Sequence, residues 1–143
     1  CHVFSGPAPQ CFVASAIAVD GRGNVFVADA SRVRRFDAAS GEAGFVAGSG
    51  STGTCGDGGP ALDACLNPRD IAIDADGDLF VLTNGAIRRI DAATGLIETV
   101  AGPVDPACAY DGRLGCVTDF ALDADGRVVF VESSRRLLRL TLP

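Results

Sequence analysis

Asp74, Asp76 and Asp78 are the residues of this chain whose spacing most suggests chemistry. They stand at alternate positions in DADGD, residues 74–78, as the first carboxylates of an EF-hand calcium loop do. Such a loop also needs a glycine at its sixth position and a bidentate glutamate at its twelfth. Counted from Asp74, those places hold Leu79 and Gly85. Two related stretches occur, Asp20-Gly-Arg-Gly-Asn24 and Asp123-Ala-Asp-Gly-Arg127, and the cationic Arg127 is no calcium ligand. All three share a leading Asp and a Gly three residues on. That pair is what a tight hairpin demands, since an Asp side chain bonds the turn backbone and Gly tolerates positive φ. The stretch is expected to turn the chain, with no metal and no cofactor bound.

Other reactive side chains are scarce. His2 is the lone histidine, so a His-based zinc site or general base cannot be assembled. Tyr110, the lone tyrosine, falls between two cysteines and reads as an exposed loop residue. The Gly-rich CGDGGPALDAC, residues 55–65, suggests a phosphate cradle but lacks the Gly-Lys-Ser/Thr ending and a βαβ setting. It reads as a loop with one helical turn at PALDAC. A net charge of −6 argues against a nucleic-acid partner. No apolar run reaches the roughly 18–20 residues of a membrane span.

The six cysteines are Cys1, Cys11, Cys55, Cys65, Cys108 and Cys116. An even number in a chain of 143 residues suggests disulfides and an oxidising compartment, outside the cell or at its surface. Zinc would require closer cysteine pairs and usually histidine. Because the chain starts on Cys1 rather than Met, it reads as a processed form or a piece of something longer. Lipidation of Cys1, as in a bacterial lipoprotein, is an alternative anchor.

The elements that carry these residues form a repeat. Residues 16–37, AIAVDGRGNVFVADASRVRRFD, return at 70–91 as DIAIDADGDLFVLTNGAIRRID, a constant offset of 54. A third copy, FALDADGRVVFVESSRRLLRLT at 120–141, follows at 49–50, with Phe130 one position later than the pattern places it. Each copy holds an apolar run, the Asp-x-x-Gly turn, a Val/Phe-rich run, a polar turn and a third run. A fourth run, GFVAG or IETVAG, closes the first two copies. Short runs rich in β-branched and aromatic residues, punctuated by Gly and Asp, are strands rather than helices. Four antiparallel strands in each unit of about 50 residues predict a propeller blade.

The predicted fold class is therefore an all-β β-propeller of four-stranded antiparallel blades. It places one outer strand over 2–6, blades over 16–48 and 70–102, and three strands of a last blade over 119–142. Arginines recur once per blade: Arg34 and Arg35, Arg88 and Arg89, then Arg139. Neighbours in a strand point to opposite faces, so one member of each pair is expected to meet acids across blades, such as Asp37 and Asp91.

The phrases DGRGNVFVAD (20–29), RVRRFD (32–37) and TVAG (99–102) resemble the NHL-repeat β-propeller family. GDGGPALDACLNP, residues 56–68, is similar to the linkers between such blades in secreted members. The resemblance covers nearly the whole chain and is strongest in the first two copies. The third departs from it, with Glu132 in the place of Asp29 and Thr141 in the place of the closing Asp.

This resemblance implies a rigid platform whose loops contact protein or glycan, a non-catalytic extracellular binding or scaffold module. Lyase and lactonase members of related propellers use His or acid clusters near the axis. An acid site here could draw on Asp29 and Glu132, and a fragment of a larger propeller enzyme is one alternative. Three blades are fewer than the four to eight of typical propellers. The other alternative is thus self-assembly of further copies, as a six-bladed ring or a filament. In the blade frame, periodicity selects Cys1–Cys11, Cys55–Cys65 and Cys108–Cys116 from fifteen connectivities.

Overall fold

The structure, a computed structural model, describes residues 13–103, 115–133 and 136–142. The expected outer strand over 2–6, the Cys1–Cys11 pair and its lipidation alternative, Cys108, His2 and Tyr110 lie outside these residues.

Within them, three sheets form. The first holds β1 (Ala16–Val19), β2 (Val25–Ala28), β3 (Val33–Phe36) and β4 (Ala43–Ala47). The second holds β5 (Pro68–Ile73), β6 (Leu79–Thr83), β7 (Ala86–Ile90) and β8 (Ile97–Ala101). The third holds β9 (Val117–Leu122), β10 (Val128–Glu132) and β11 (Leu137–Leu140). Each is an antiparallel meander whose strands pair in chain order. The innermost strands lie side by side, β5 against β1 and β9 against β5, so the sheets stack as blades around an axis. The fold is an all-β propeller of four-stranded antiparallel blades.

Side-chain alternation decides which blade each residue meets. On β5, Ile71 and Ile73 face the first sheet, whereas Ala72 faces the third. On β6, Leu79 and Val81 face the first sheet, whereas Phe80 and Leu82 face the third. All five residues of β6 are buried, because the second sheet is covered on both sides. The linker between the first two blades adds Ala61, Ala64 and Leu66 to their interface. Burying a side chain such as Leu66 or Ile97 contributes about 1.5–3 kcal/mol.

The late Phe130 has a structural consequence. Phe26 and Phe80 point forward, toward the next sheet. Phe130 sits one residue on, where the earlier copies have Val27 and Val81, and so points backward. It joins Phe80 and Phe120 between the second and third sheets. The shift fills that interface from the opposite side.

Cys55 and Cys65 form a disulfide across the linker. In the chain-entropy picture, a closed loop of this size contributes about 2–3 kcal/mol. Its single helical turn is a 3-10 turn over Ala61–Asp63. Cys116 is also disulfide-bonded, and the expected partner, Cys108, lies outside the described residues.

Candidate functional site

The aspartates that suggested calcium each cap a turn. Asp74 Oδ1 accepts the N–H groups of Asp76 and Asp78 at 3.0 and 2.9 Å. Asp20 does the same for Arg22 and Asn24, and Asp123 for Asp125 and Arg127. The glycine three residues on adopts φ of +84, +89 and +76° at Gly23, Gly77 and Gly126. It closes each turn by donating its N–H to the carbonyl of the leading Asp.

Asp78 points elsewhere. Its Oδ2 accepts from Arg89 at 2.7 and 2.5 Å, and its Oδ1 accepts the Ala92 N–H at 2.8 Å. It thereby ties the β5–β6 turn to the β7–β8 turn, as Asn24 ties its own pair through Ala38. Two of the three carboxylates of DADGD, those of Asp74 and Asp78, are thus committed to different partners. Among the described residues, no three His, Cys, Asp or Glu side chains gather as metal ligands.

The β3–β4 and β7–β8 turns are built alike. Asp37 caps Ala39 and Ser40, and Asp91 caps Ala93 and Thr94. Arg35 pairs with Asp37 at 2.8 Å, while Arg89 meets Asp78 at 2.5, Glu98 at 3.3 and Asp91 at 3.6 Å. These pairs lie within a blade, not across blades as the sequence suggested. The reason is the hairpin: an arginine near a strand end reaches the turn that follows before it reaches another sheet.

The β1–β2, β5–β6 and β7–β8 turns edge a groove of about 830 Å³ between the first two blades. Phe26, Leu79 and Ile90 give it an apolar floor, and Asp20, Asp76 and Asp91 stand on its rim with Arg35. Two rim carboxyls, Asp20 and Asp91, are held below the usual carboxylate range, as are Asp37 and Asp123 in the neighbouring turns. At Asp20, burial works against ionisation, but hydrogen bonds from Asn24 and Arg22 and the charge of Arg35 more than offset it. Ser40 holds Asp37 low, Thr94 holds Asp91 low, and the Arg127 N–H does so for Asp123.

An acid-unfolding prediction follows. A carboxyl whose folded pKa lies below its unfolded value of about 3.9 stabilises the fold above that pH and loses the contribution as pH falls through the folded value. Asp70 has the opposite sign, because burial raises it, aided by the charge of Asp119. Among the described residues, Asp20, Asp37, Asp57, Asp91 and Asp123 shift downward, against Asp70 upward. The urea midpoint is expected to stay level from neutral pH to about 5 and to fall below about 4. A midpoint that rises on acidification to pH 3 contradicts this.

The remaining candidates divide. Asp29 caps its own turn through Ser31 and Arg32. It belongs to the first blade and Glu132 to the third, with the second blade between them. Asp70 on the innermost strand β5 is raised by burial, and the charge of Asp119 on the innermost strand β9 adds to this. Each accepts the N–H of the residue after it. Their signal in the sequence was their common place before an apolar pair in copies two and three.

The least visible feature was Arg88. It is fully buried on the back of β7, toward the first blade. Its Nε and Nη2 donate to Asp57 Oδ1 at 2.9 and 2.7 Å. Nη1 donates to the Cys65 carbonyl at 3.0 Å, and Nη2 also donates to that of Cys55 at 3.1 Å. Asp57 Oδ2 accepts the Thr99 N–H at 3.1 Å. One guanidinium therefore fastens the disulfide loop to the outer half of the second blade.

Comparison with known proteins places these features. A family model described as the Teneurin NHL domain matches residues 38–125. Teneurin-3 of Mus musculus is 30% identical over 99 residues, covering 61% of this chain and 4% of its own length. Teneurin-4 of Homo sapiens is 40% identical over 68 residues, covering 47% of this chain and 2% of its own. The chain thus spans only a few per cent of these curated relatives.

Among solved structures, virginiamycin B lyase from Staphylococcus aureus superposes with a TM-score of 0.53 at 15% identity, over 90% of this chain and 41% of the lyase. YCF48 bound to D1 peptide gives 0.58 at 14% identity, over 90% of this chain and 36% of that one. At such identities the likeness concerns the fold alone.

Proposed function

This chain belongs to the Teneurin NHL domain family, and we propose that it serves as a non-catalytic extracellular binding or scaffold module. The observation carrying this reading is the groove between the first two blades. Two of its rim carboxylates, Asp20 and Asp91, cap their own turns and are held below the usual carboxylate range, while its floor is apolar. Such a surface presents charge without moving it, which suits recognition more than proton transfer. With a chain charge of −6, it favours protein ligands that offer Lys or Arg on an aliphatic stem, and its fixed acceptors also suit glycan hydroxyls. The linker disulfide supports an oxidising, extracellular or cell-surface setting. No helix among the described residues is long and apolar enough to cross a membrane.

Probing the purified chain on arrays of basic, acidic and neutral peptides and of glycans tests the reading. Retention of basic peptides or glycans is expected. Asp76 is exposed, so Asp76→Lys should leave the melting temperature unchanged and weaken basic-peptide binding at least about tenfold. Binding that ignores this change, or that selects acidic peptides, contradicts the proposal.

A further inference from the structure

Residues paired across strands share a side of the sheet, so one row of side chains crosses each of the first two blades. In the first it reads Ala18, Phe26, Arg35 and Gly44, and in the second Ala72, Phe80, Arg89 and Glu98. The rows match until their last member. Glu98 accepts a hydrogen bond from Arg89 at 3.3 Å, whereas Gly44 has no side chain to offer Arg35. A second difference lies in the turn after the innermost strand. Asp78 accepts from Arg89 at 2.7 and 2.5 Å, and the same place 54 residues earlier holds Asn24. Asn24 donates through Nδ2 to Asp20 and accepts the Ala38 N–H at Oδ1, so both its ends are taken.

Arg89 therefore meets three carboxylates. Among the described residues, Arg35 donates to Asp37 alone, and its side chain is 39% exposed against 26% for Arg89. A guanidinium carries five N–H donors, so most of this fork is open to a ligand. The missing carboxylates leave room as well as charge: a hollow of about 310 Å³ opens beside Arg35 and Gly44. Arg35 also stands on the rim of the groove between the first two blades, with Asp76 and Asp91 on turns of the second blade. Asp20, on the first blade, spends both oxygens on its own turn. Asp37 and Glu42 share the hollow, so a lone ligand carboxylate would meet net repulsion. One that brings its own cation would not.

We propose that Arg35 selects the peptide that this groove binds. The bound segment carries an Asp or Glu carboxylate for Arg35 beside the Lys or Arg that reaches Asp76 and Asp91. The ligand is thus dipolar rather than merely basic, an inference that rests on the reading of the groove as a binding site. A peptide fits better than a sugar, because Phe26 in the floor is only 7% exposed and offers no open aromatic face for a sugar ring. A narrow apolar strip suits the aliphatic stems of charged side chains.

Fluorescent peptides titrated with the purified chain test this. Each set shares one neutral host sequence and differs at two sites, set one to four residues apart: Lys with Glu, Lys with Gln, or Gln with Glu. At the best spacing the Lys/Glu peptide should bind about tenfold more tightly than Lys/Gln, and Gln/Glu should bind most weakly. Gly44→Glu and Asn24→Asp each rebuild in the first blade a partner that Arg89 has in the second. Each should erase the preference for Glu over Gln, as should Arg35→Gln. A side chain at Gly44 meets nothing within 4 Å, so Gly44→Glu should keep its melting temperature. Lys/Glu bound no better than Lys/Gln at any spacing overturns the proposal and leaves the groove reading standing; if no peptide binds, both fall. A preference that survives Gly44→Glu and Arg35→Gln, or that is lost with Arg22→Gln instead, also overturns it.

Discussion

Replacing Arg88 with Met is expected to lower the unfolding free energy by about 3–5 kcal/mol, the range found when a buried ion pair loses one partner. The side chains are similar in length, so lost packing is small. What goes is the hydrogen bonding to Asp57 and to the carbonyls of Cys55 and Cys65. The Cys65 carbonyl loses its donor, at about 1–3 kcal/mol where water cannot replace it, whereas the Cys55 carbonyl keeps the Cys65 N–H. Asp57 is half open to solvent and can rehydrate, which keeps the loss from growing further.

Arg88→Lys should restore little of it, because one ammonium cannot reach a carboxylate and two carbonyls in the fork geometry of a guanidinium. Asp57→Asn keeps an acceptor but removes the counter-charge, and about 1–3 kcal/mol is expected at that water-facing end. The linker and the arginine should also be coupled. In a Cys55→Ala/Cys65→Ala background the loop is slack, so Arg88→Met should cost less there by about 0.5–3 kcal/mol. Urea denaturation of the four proteins gives the cycle. A single-variant loss below about 1 kcal/mol, or equal losses in both backgrounds, contradicts the fastening role.

Why Arg88 was hidden in the sequence, while the blades were plain, is a matter of which interactions are local. The turn at DADGD is written in two residues, a capping Asp and a glycine of positive φ, and the strands follow from runs of β-branched side chains. Both depend on neighbours in the chain. The Arg88–Asp57 pair spans 31 residues and needs the linker to fold back over the second blade. Alternation said that Arg88 and Arg89 face opposite ways; it could not say which one met a loop and which met Asp78. The best available hint was Asp57 itself, a carboxylate set between Gly56 and Gly58 in an otherwise bland loop.

Phe130 illustrates a signal present but silent. A one-residue shift in a strand reverses the face, yet it acquires meaning only once each face is assigned to a neighbouring blade. Asp70 and Asp119 were similarly plain as letters. The effect of Asp119 on Asp70 appears only when β5 and β9 lie side by side.

Gly48→Ala is expected to be about as damaging as the loss of Arg88, for a purely steric reason. Gly48 ends the FVAG phrase with φ of +94°, and a Cβ there would lie 2.2 Å from the Ser31 carbonyl oxygen and 2.7 Å from the Arg32 Cα. Neither is the movable end of a side chain. Left-handed backbone costs an L-residue about 1–2 kcal/mol, and forcing atoms into a filled space adds about 1–3 kcal/mol. The chain cannot easily retreat, because the Gly48 and Ser49 N–H groups donate to the carbonyls of Ala61 and Ala64 in the linker. Gly102, the same position in the second blade, has φ of +78° and would meet the Gly85 oxygen at 2.6 Å, so Gly102→Ala should behave alike. Two controls separate strain from crowding. Gly41 has φ of +73° but open space around it, so Gly41→Ala should cost only the roughly 1–2 kcal/mol of backbone strain. Gly21 has neither positive φ nor a neighbour within 4 Å, so Gly21→Ala should be neutral or stabilise by about 0.4–1 kcal/mol. Thermal and urea unfolding of the four variants should rank them in that order. If Gly48→Ala were no worse than Gly41→Ala, the close passage of the outer strand beneath the β2–β3 turn would not be what holds that glycine in the repeat.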